Sequence, residues 1–337
     1  MAVITSQKIA TYYERYKSID VTYTKDIIQV TGMVTQQVFL KCGGDFWPCV
    51  VYSSSFEGAK IVANTKSGIL NKLEVANNAA SLRFCFSNQE SSSPVTFFVA
   101  VRVGSNTPYG GDSKDMALFN LQFTQRPPDD LIEIMGRLLD ANVNSVKRKN
   151  ERINLTTETV RRLRILTKDI AAFIQGVPRR CILRDISFGG ARLVIMGVAK
   201  FLVDKDSALR VDFDDPRASF LIKGKFIKAE PVEGRQDLLA VDIEFTEAHI
   251  PMGYKIRLND FLGQTWADSR INEKSDKTAE NSRAAKKAAS TEKTEKEKAV
   301  DALKAMKNSG SNEEEGKAAP PVEKTLGSSS ESEKAGA

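Results

Sequence analysis

Along most of residues 20–265, apolar and polar positions alternate with a period of two, which predicts strands with one buried face. The segments DIIQV, QVFLK, PCVVYS, AKIVAN and SLRFCFS read this way, the last with Leu82, Phe84 and Phe86 set against Arg83 and Cys85. TFFVAVRV and ALFNLQF continue the pattern, with Phe119, Leu121 and Phe123 on one face and Asn120 and Gln122 on the other. So many short strands predict a barrel or a sandwich. The opening SQKIATYYERYK reads instead as a helix.

The period changes at RPPDDLIEIMGRLLDAN. Leu131, Ile134, Met135, Leu138 and Leu139 fall on one helical face, and Pro128 with two aspartates marks the N-terminal end, where proline fits and negative charge suits the dipole. This helix is expected to end near Asn142 and to act as a hinge. Period two then returns in INLTTETVRRLRIL, RRCIL, ARLVIM, ALRVDF, SFLIKGKFIKAE and LLAVDIEF, with Leu209, Val211 and Phe213, and Leu239, Val241, Ile243 and Phe245, facing inward. Six strands in so short a stretch predict a small antiparallel barrel. IPMGYKIRLNDFLGQTW reads as a closing helix with Tyr254, Leu258, Phe261 and Leu262 on one side.

The expected fold class is therefore mainly β: two small antiparallel β-barrel-like domains joined by a helical linker, followed by a disordered C-terminal tail. The boundaries fall at 1–127 for the first β-rich domain, 128–146 for the linker, 147–268 for the second barrel with its helix and 269–337 for the tail. The tail is rich in Lys, Glu, Ala and Ser and has no aromatic residue, so it cannot bury enough apolar surface to order itself.

Charge adds the next constraint. The chain of 337 residues carries a net charge of +6, and the near balance of signs in the tail leaves the excess in the folded part. It concentrates at KRK 147–149, Arg152, RRLR 161–164 and RR 179–180, which points to an anionic partner. No apolar run is long enough for a membrane span, and MAVITSQKIATYYERYK lacks a basic segment followed by an apolar one, so a cytoplasmic location is expected. Cys42, Cys49, Cys85 and Cys181 form no C-x-x-C pair and read as buried thiols. With His249 the only histidine, neither a metal site nor a catalytic triad is expected, and no catalytic residue is assigned.

One stretch breaks the strand pattern sharply. RDISFGGARL, 184–193, places Asp185, Ser187, Gly189 and Gly190 between two apolar runs. Asp, Ser and Gly are what any tight hairpin uses, but they also offer side-chain acceptors and a backbone that permits positive φ and close approach. A second element changes the weight of this turn: RKNER at 148–152, directly after the predicted helix, sets Arg148 and Arg152 four residues apart.

Together these two elements resemble the signature of the PilZ family of cyclic di-GMP receptors, an R-x-x-x-R followed at some distance by D/N-x-S-x-x-G. The resemblance covers about 147–265, and the β-rich first domain with its linker is similar to the two-domain YcgR-like arrangement of that family. The gap between the two halves is slightly longer than the family's, and KDIAAFIQGVP is expected to absorb the difference as a longer hairpin loop. A rival R-x-x-x-R at Arg180 and Arg184 falls inside a strand and is assigned to the barrel wall. The RRLR run and Arg192 read as an outward barrel face.

The resemblance implies cyclic di-GMP as ligand rather than cofactor, bound by Arg148, Arg152, Asp185, Ser187, Gly189 and Gly190, with Lys147 and Lys149 as further candidates. It also implies a non-enzymatic effector in which ligand at the interdomain junction changes domain orientation and a protein partner's engagement, regulating motility or a related behaviour. The chemistry fits. Guanine shows O6 and N7 acceptors on one edge and N1 and N2 donors on another; arginine forks match the first edge and the phosphates, and Asp185 suits the second. CGGDFW at 42–47 contains the GGD of diguanylate cyclases but no α/β pattern surrounds it, so it reads as a turn. Two other readings stand beside the receptor. A basic barrel binding RNA or single-stranded DNA should show aromatics interleaved with arginine on an exposed strand, which RRLRIL, RRCIL and ARLVIM lack, so nucleic acid is not the expected partner. A PilZ-like scaffold that binds only protein is opposed by the intact motif.

Overall fold

α1, Ser6–Tyr16, starts where Thr5 accepts a hydrogen bond from the Lys8 amide, and it buries Ile9, Tyr12 and Tyr16. After the two-residue strand β1, Val21–Thr22, the DIIQV segment departs from expectation. It forms no strand but the short helix α2, Lys25–Thr31. Thr24 caps it by accepting from the Ile27 amide, Asp26 lies in its first turn, and Gly32 ends it in the left-handed region at a φ of 70°. These end signals outweigh the β-branched composition. The computed structural model describes residues 5–87, 93–110 and 115–266. The predicted tail, 269–337, lies outside the described residues.

The first barrel is built from β2 (Phe39–Cys42), β3 (Asp45–Ser54), β4 (Gly58–Asn64), β5 (Ala79–Phe86), β6 (Val95–Pro108) and β7 (Met116–Phe123), with the short helix α3 (Ile69–Val75) between β4 and β5. All neighbours are antiparallel. The order β3-β2-β5-β6-β7-β4 closes on itself through β3–β4, and β1 adds to β3. Within CGGDFW the turn is Gly43 and Gly44, at φ 55° and 89°, joining Cys42 of β2 to Asp45 of β3.

α4, Asp129–Lys147, follows Pro128 and continues past Asn142, so Lys147 is helical. It is no free linker. Leu131, Ile132, Met135, Leu138 and Leu139 are buried in the core of the first barrel. Gly136 lets α1 come close, since a Cβ there would stand 2.3 Å from the Tyr12 ring.

The second barrel corrects one strand assignment and one loop assignment. INLTTETVRRLRIL gives only β8, Ile153–Asn154, and then the helix α5, Thr157–Leu163, capped by Thr156 accepting from the Thr159 amide. Glu158 in its first turn and Arg161 and Arg162 in its last match the dipole, and Arg164 caps it in the left-handed region at a φ of 56°, so the RRLR run is a helix end and not a barrel face. KDIAAFIQGVP is not a loop. It forms β9, Asp169–Ile174, turning at Gln175 and Gly176, with φ 49° and 83°, into β10, Val177–Ile186. With β11 (Gly190–Met196), β12 (Asp206–Phe213), β13 (Ala218–Val232) and β14 (Arg235–Phe245), the order β11-β14-β13-β12-β9-β10 closes through β10–β11. β8 adds to β10.

The closing helix α6, 252–266, buries Tyr254, Leu258, Phe261 and Leu262 in the second core. Polar pairs tie it to α4: Arg137 to Asp260 at 2.7 Å, Asn259 to Asp140 at 3.1 Å, Asn144 to Asn259 at 2.8 Å and Lys255 to Asn142 at 3.1 Å. Burial lowers the Lys255 pKa, with Glu247 and Asp26 opposing that shift. No helix among the described residues is long and apolar enough to cross a membrane.

Candidate functional site

The two motif halves are joined by backbone. Arg148 follows the last residue of α4, its amide donating to the Asn144 carbonyl at 2.9 Å, and a single turn leads to Arg152 and β8. β8 pairs with the end of β10, Ile153 opposite Ile186 and Asn154 opposite Asp185. Arg152 therefore arrives beside Asp185, and its Nη1 donates to Asp185 Oδ1 at 2.6 Å. A register shift between Leu183 and Asp185 accompanies the turn of the Asp185 carboxylate into a buried position, 8% exposed.

Ser187 closes its own loop. Its amide donates to the Gly190 carbonyl at 2.8 Å, and its Oγ accepts from the Gly190 amide at 3.1 Å. The Tyr254 hydroxyl donates to the Ser187 carbonyl at 2.8 Å, which fixes the loop to α6; burial drives the Tyr254 pKa upward. Ser187 thus holds the shape of the loop.

The glycines serve close approach alone, since neither has a positive φ. A Cβ on Gly190 would lie 2.3 Å from the Ile243 carbonyl oxygen, and one on Gly189 would lie 2.5 Å from Lys149 Cγ. The Gly189 amide donates to the Lys149 carbonyl at 2.9 Å, so Lys149 joins the site through its backbone while its Nζ faces Glu244 at 3.5 Å. Arg148 stands apart from Arg152. Its guanidinium carbon lies 3.9 Å from the centre of the Trp266 ring, at the end of α6. Among the described residues no contact joins the Lys147 side chain to the cluster, and Arg180 and Arg184 lie exposed on β10.

Several neighbours were invisible to sequence reasoning. Asp242 on β14 sits 3.6 Å from Arg152 and 3.9 Å from Arg192, and its buried Oδ1 makes no hydrogen bond. Arg192 also reaches Glu230 at 3.3 Å. The register of β11 against β14, which places Arg192 opposite Asp242, brings them to the site; Arg192 was legible as an outward basic residue, whereas no local signal marks Asp242. The assembled surface presents guanidinium forks for anions or purine acceptors next to carboxylates for purine donors.

Residues 7–142 match the model of the PilZN3 domain. Over 262 residues the chain is 42% identical to a Treponema denticola protein described as a cyclic di-GMP binding protein, covering 78% of this chain and 83% of that one. This chain belongs to the PilZ family. Among solved structures, this PilZ chain aligns to Borreliella burgdorferi PlzA in complex with c-di-GMP at 24% identity and TM-score 0.35, covering 76% of this chain and 98% of that one. It aligns to Escherichia coli YcgR in complex with c-di-GMP at 13% identity and TM-score 0.26, covering 74% and 91% respectively.

Proposed function

We propose that this PilZ-family chain is a non-enzymatic, cytoplasmic receptor for cyclic di-GMP that binds at the junction of α4, β8 and the β10–β11 loop. The observation that carries the reading is the 2.6 Å pair between Arg152 and Asp185, which joins R-x-x-x-R to D-x-S-x-x-G. The Treponema relative's description supports the choice of ligand. Arg148 and Arg152 grip phosphate or the O6 and N7 edge of guanine, Asp185 accepts from N1 and N2, and the glycines leave room for a purine beside the backbone.

Binding is coupled to domain orientation by position. Arg148 ends a helix whose apolar face lies in the first core, while Asp185 belongs to the second barrel and α6 to its core. A ligand touching both biases whichever arrangement it binds better, and a bias of about 1.4 kcal/mol shifts the ratio tenfold. The α4–α6 pairs oppose free swivelling, so the change is a rearrangement of those pairs. The output, engagement of a protein partner in motility or a related behaviour, is what the family resemblance implies.

Titration calorimetry with cyclic di-GMP, using GTP and cyclic GMP as controls, tests the ligand. Saturable heat with cyclic di-GMP alone is expected, and its absence overturns the reading. Spin labels at Val75 and Met196, 87% and 66% exposed on the first and second barrels, then read the interdomain distance with and without ligand. A displaced distribution is expected. Superimposable distributions at saturation would remove the coupling.

One observation favours a second reading. On the outer face of the first barrel Lys41 lies over Phe46 and Phe98, at 5.3 and 5.9 Å, and Arg83 over Phe39 at 5.6 Å. Aromatics interleaved with cations on a strand face suit single-stranded nucleic acid, and anisotropy of a labelled RNA with the wild type and a Phe46→Ala, Phe98→Ala variant decides it.

A further inference from the structure

Arg148 and Arg152 are held in different ways. Arg152 forms a short ion pair with Asp185 and faces Asp242, whereas Arg148 has only Glu151 as charged neighbour among the described residues, at 3.9 Å through its Nε. No hydrogen bond from the Arg148 guanidinium joins it to another described residue. What holds it is the indole of Trp266, 3.9 Å from the guanidinium carbon to the ring centre. That separation is a face contact. Stacking engages the plane of a guanidinium and leaves its N–H donors, which point outward along the edge, available.

Trp266 lies outside both motif halves, at the end of a helix anchored in the second core by Tyr254, Leu258, Phe261 and Leu262. The indole is therefore delivered by the second barrel to an arginine delivered by the helix of the first. It is 44% exposed, although a tryptophan in that setting has apolar surface to bury, and the cation it covers has a side chain only 24% exposed.

We infer that Trp266 is a positioning residue of the ligand site, holding the Arg148 guanidinium flat against its indole so that the arginine's free edge and opposite face meet the ligand. This rests on the cyclic di-GMP reading and adds to it a residue that no motif contains. The physical reason is preorganisation. An arginine side chain loses rotamer freedom when it binds, and a stack that fixes the plane in advance removes part of that cost without using any donor. With a purine on the other face, the guanidinium becomes the middle layer between an indole and a base.

Two variants separate stacking from packing. Trp266→Phe keeps an aromatic face, while Trp266→Leu keeps apolar bulk and loses the π system. Both change a half-exposed helix end and are expected to fold, which thermal melting of the full chain checks. Calorimetry with cyclic di-GMP should show Trp266→Leu weaker than wild type by about threefold to fivefold, with Trp266→Phe recovering most of the loss. Emission gives the second reading. The other tryptophan, Trp47, is buried in the first barrel and donates to the Ser67 carbonyl at 3.3 Å, so it supplies a constant background. The wild type should change emission on saturation, and both variants should lose that change. Equal affinity across the three proteins overturns the inference, as does tighter binding by Trp266→Leu, which would make the indole a competitor for Arg148. A wild type that binds no cyclic di-GMP fails the receptor reading itself, a result distinct from either of these.

Discussion

Arg152 and Asp185 are 33 positions apart in sequence and 2.6 Å apart in space, and the two-residue strand β8 is what brings them together. Asp185 is buried while the Arg152 side chain remains 42% exposed, so removing either partner has unequal consequences. Arg152→Ala leaves a buried carboxylate uncompensated. Asp185→Ala leaves a cation that water can reach. Both should weaken cyclic di-GMP binding at least about tenfold, since a charge-assisted bond is worth about 1.5–3 kcal/mol. Denaturant unfolding should show the larger stability loss in Arg152→Ala. The reverse order would mean that Asp185 is sustained by other donors.

Asp242 gives a prediction of opposite sign. Its carboxylate stands against Arg152 and Arg192 at 3.6 and 3.9 Å without a hydrogen bond to Oδ1. Asp242→Asn keeps the shape and raises the local charge by one, so an anionic ligand should bind about threefold tighter at low ionic strength, with the gain fading as salt is added. Calorimetry at two salt concentrations checks it. Weaker binding would show that Asp242 accepts from the ligand.

The neighbouring glycines should differ. At Gly190 an added Cβ meets the Ile243 backbone oxygen at 2.3 Å, which strand β14 cannot easily move. At Gly189 the nearest atom, at 2.5 Å, is Lys149 Cγ, whose side chain can shift, with the Lys149 backbone oxygen at 3.0 Å. Gly190→Ala should therefore cost about 1–3 kcal/mol of stability and lower the melting temperature by several degrees, and Gly189→Ala clearly less. Equal losses would count against close approach as the reason for Gly190.

These contrasts also show what the sequence could and could not convey. Strict alternation in ALFNLQF, ALRVDF and LLAVDIEF marked true strands because one face of each is buried, with Phe119, Leu209 and Val241 fully inside, whereas in SLRFCFS Cys85, read as facing out, is buried as completely as Phe84. The apolar stripe of α4 was equally legible, but its partner was not: the stripe shows that a face is buried and says nothing of which core takes it. DIIQV and TTETVRRL misled because short helices carry too few residues for their period to emerge, and their cap residues Thr24 and Thr156 had to be weighed instead. In KDIAAFIQGVP the strand was hidden by its small residues, Ala171 and Ala172. Arg148, Arg152, Asp185 and Ser187 were legible as a motif and Arg192 as an outward basic residue, whereas Asp242 and Trp266 reach the site through register and helix packing that no local pattern encodes.

The buried thiols add a dependence on pH. Burial pushes Cys49 and Cys181 from their ordinary value of 9.0 up to about 12. Because the folded pKa lies above the unfolded one, the stabilising contribution is complete below about pH 9 and is lost as pH rises toward 12. Over that window each thiol contributes a slope of about 1.4 kcal/mol per pH unit. Urea midpoints should fall between about pH 8 and pH 10.5, and a Cys49→Ala, Cys181→Ala variant should fall less. An identical fall would assign the alkaline loss to other groups.

Ring closure has a consequence for assembly. In both barrels the first and last strands of the order pair with each other, so the described strands left at a margin are β1 and β8, two residues each. Among the described residues a second copy finds no ladder of free amides and carbonyls long enough to extend, so the described strands offer no template for concentration-driven growth of shared sheets. Copies that meet barrel to barrel do so through side chains, leaving each barrel's backbone register its own.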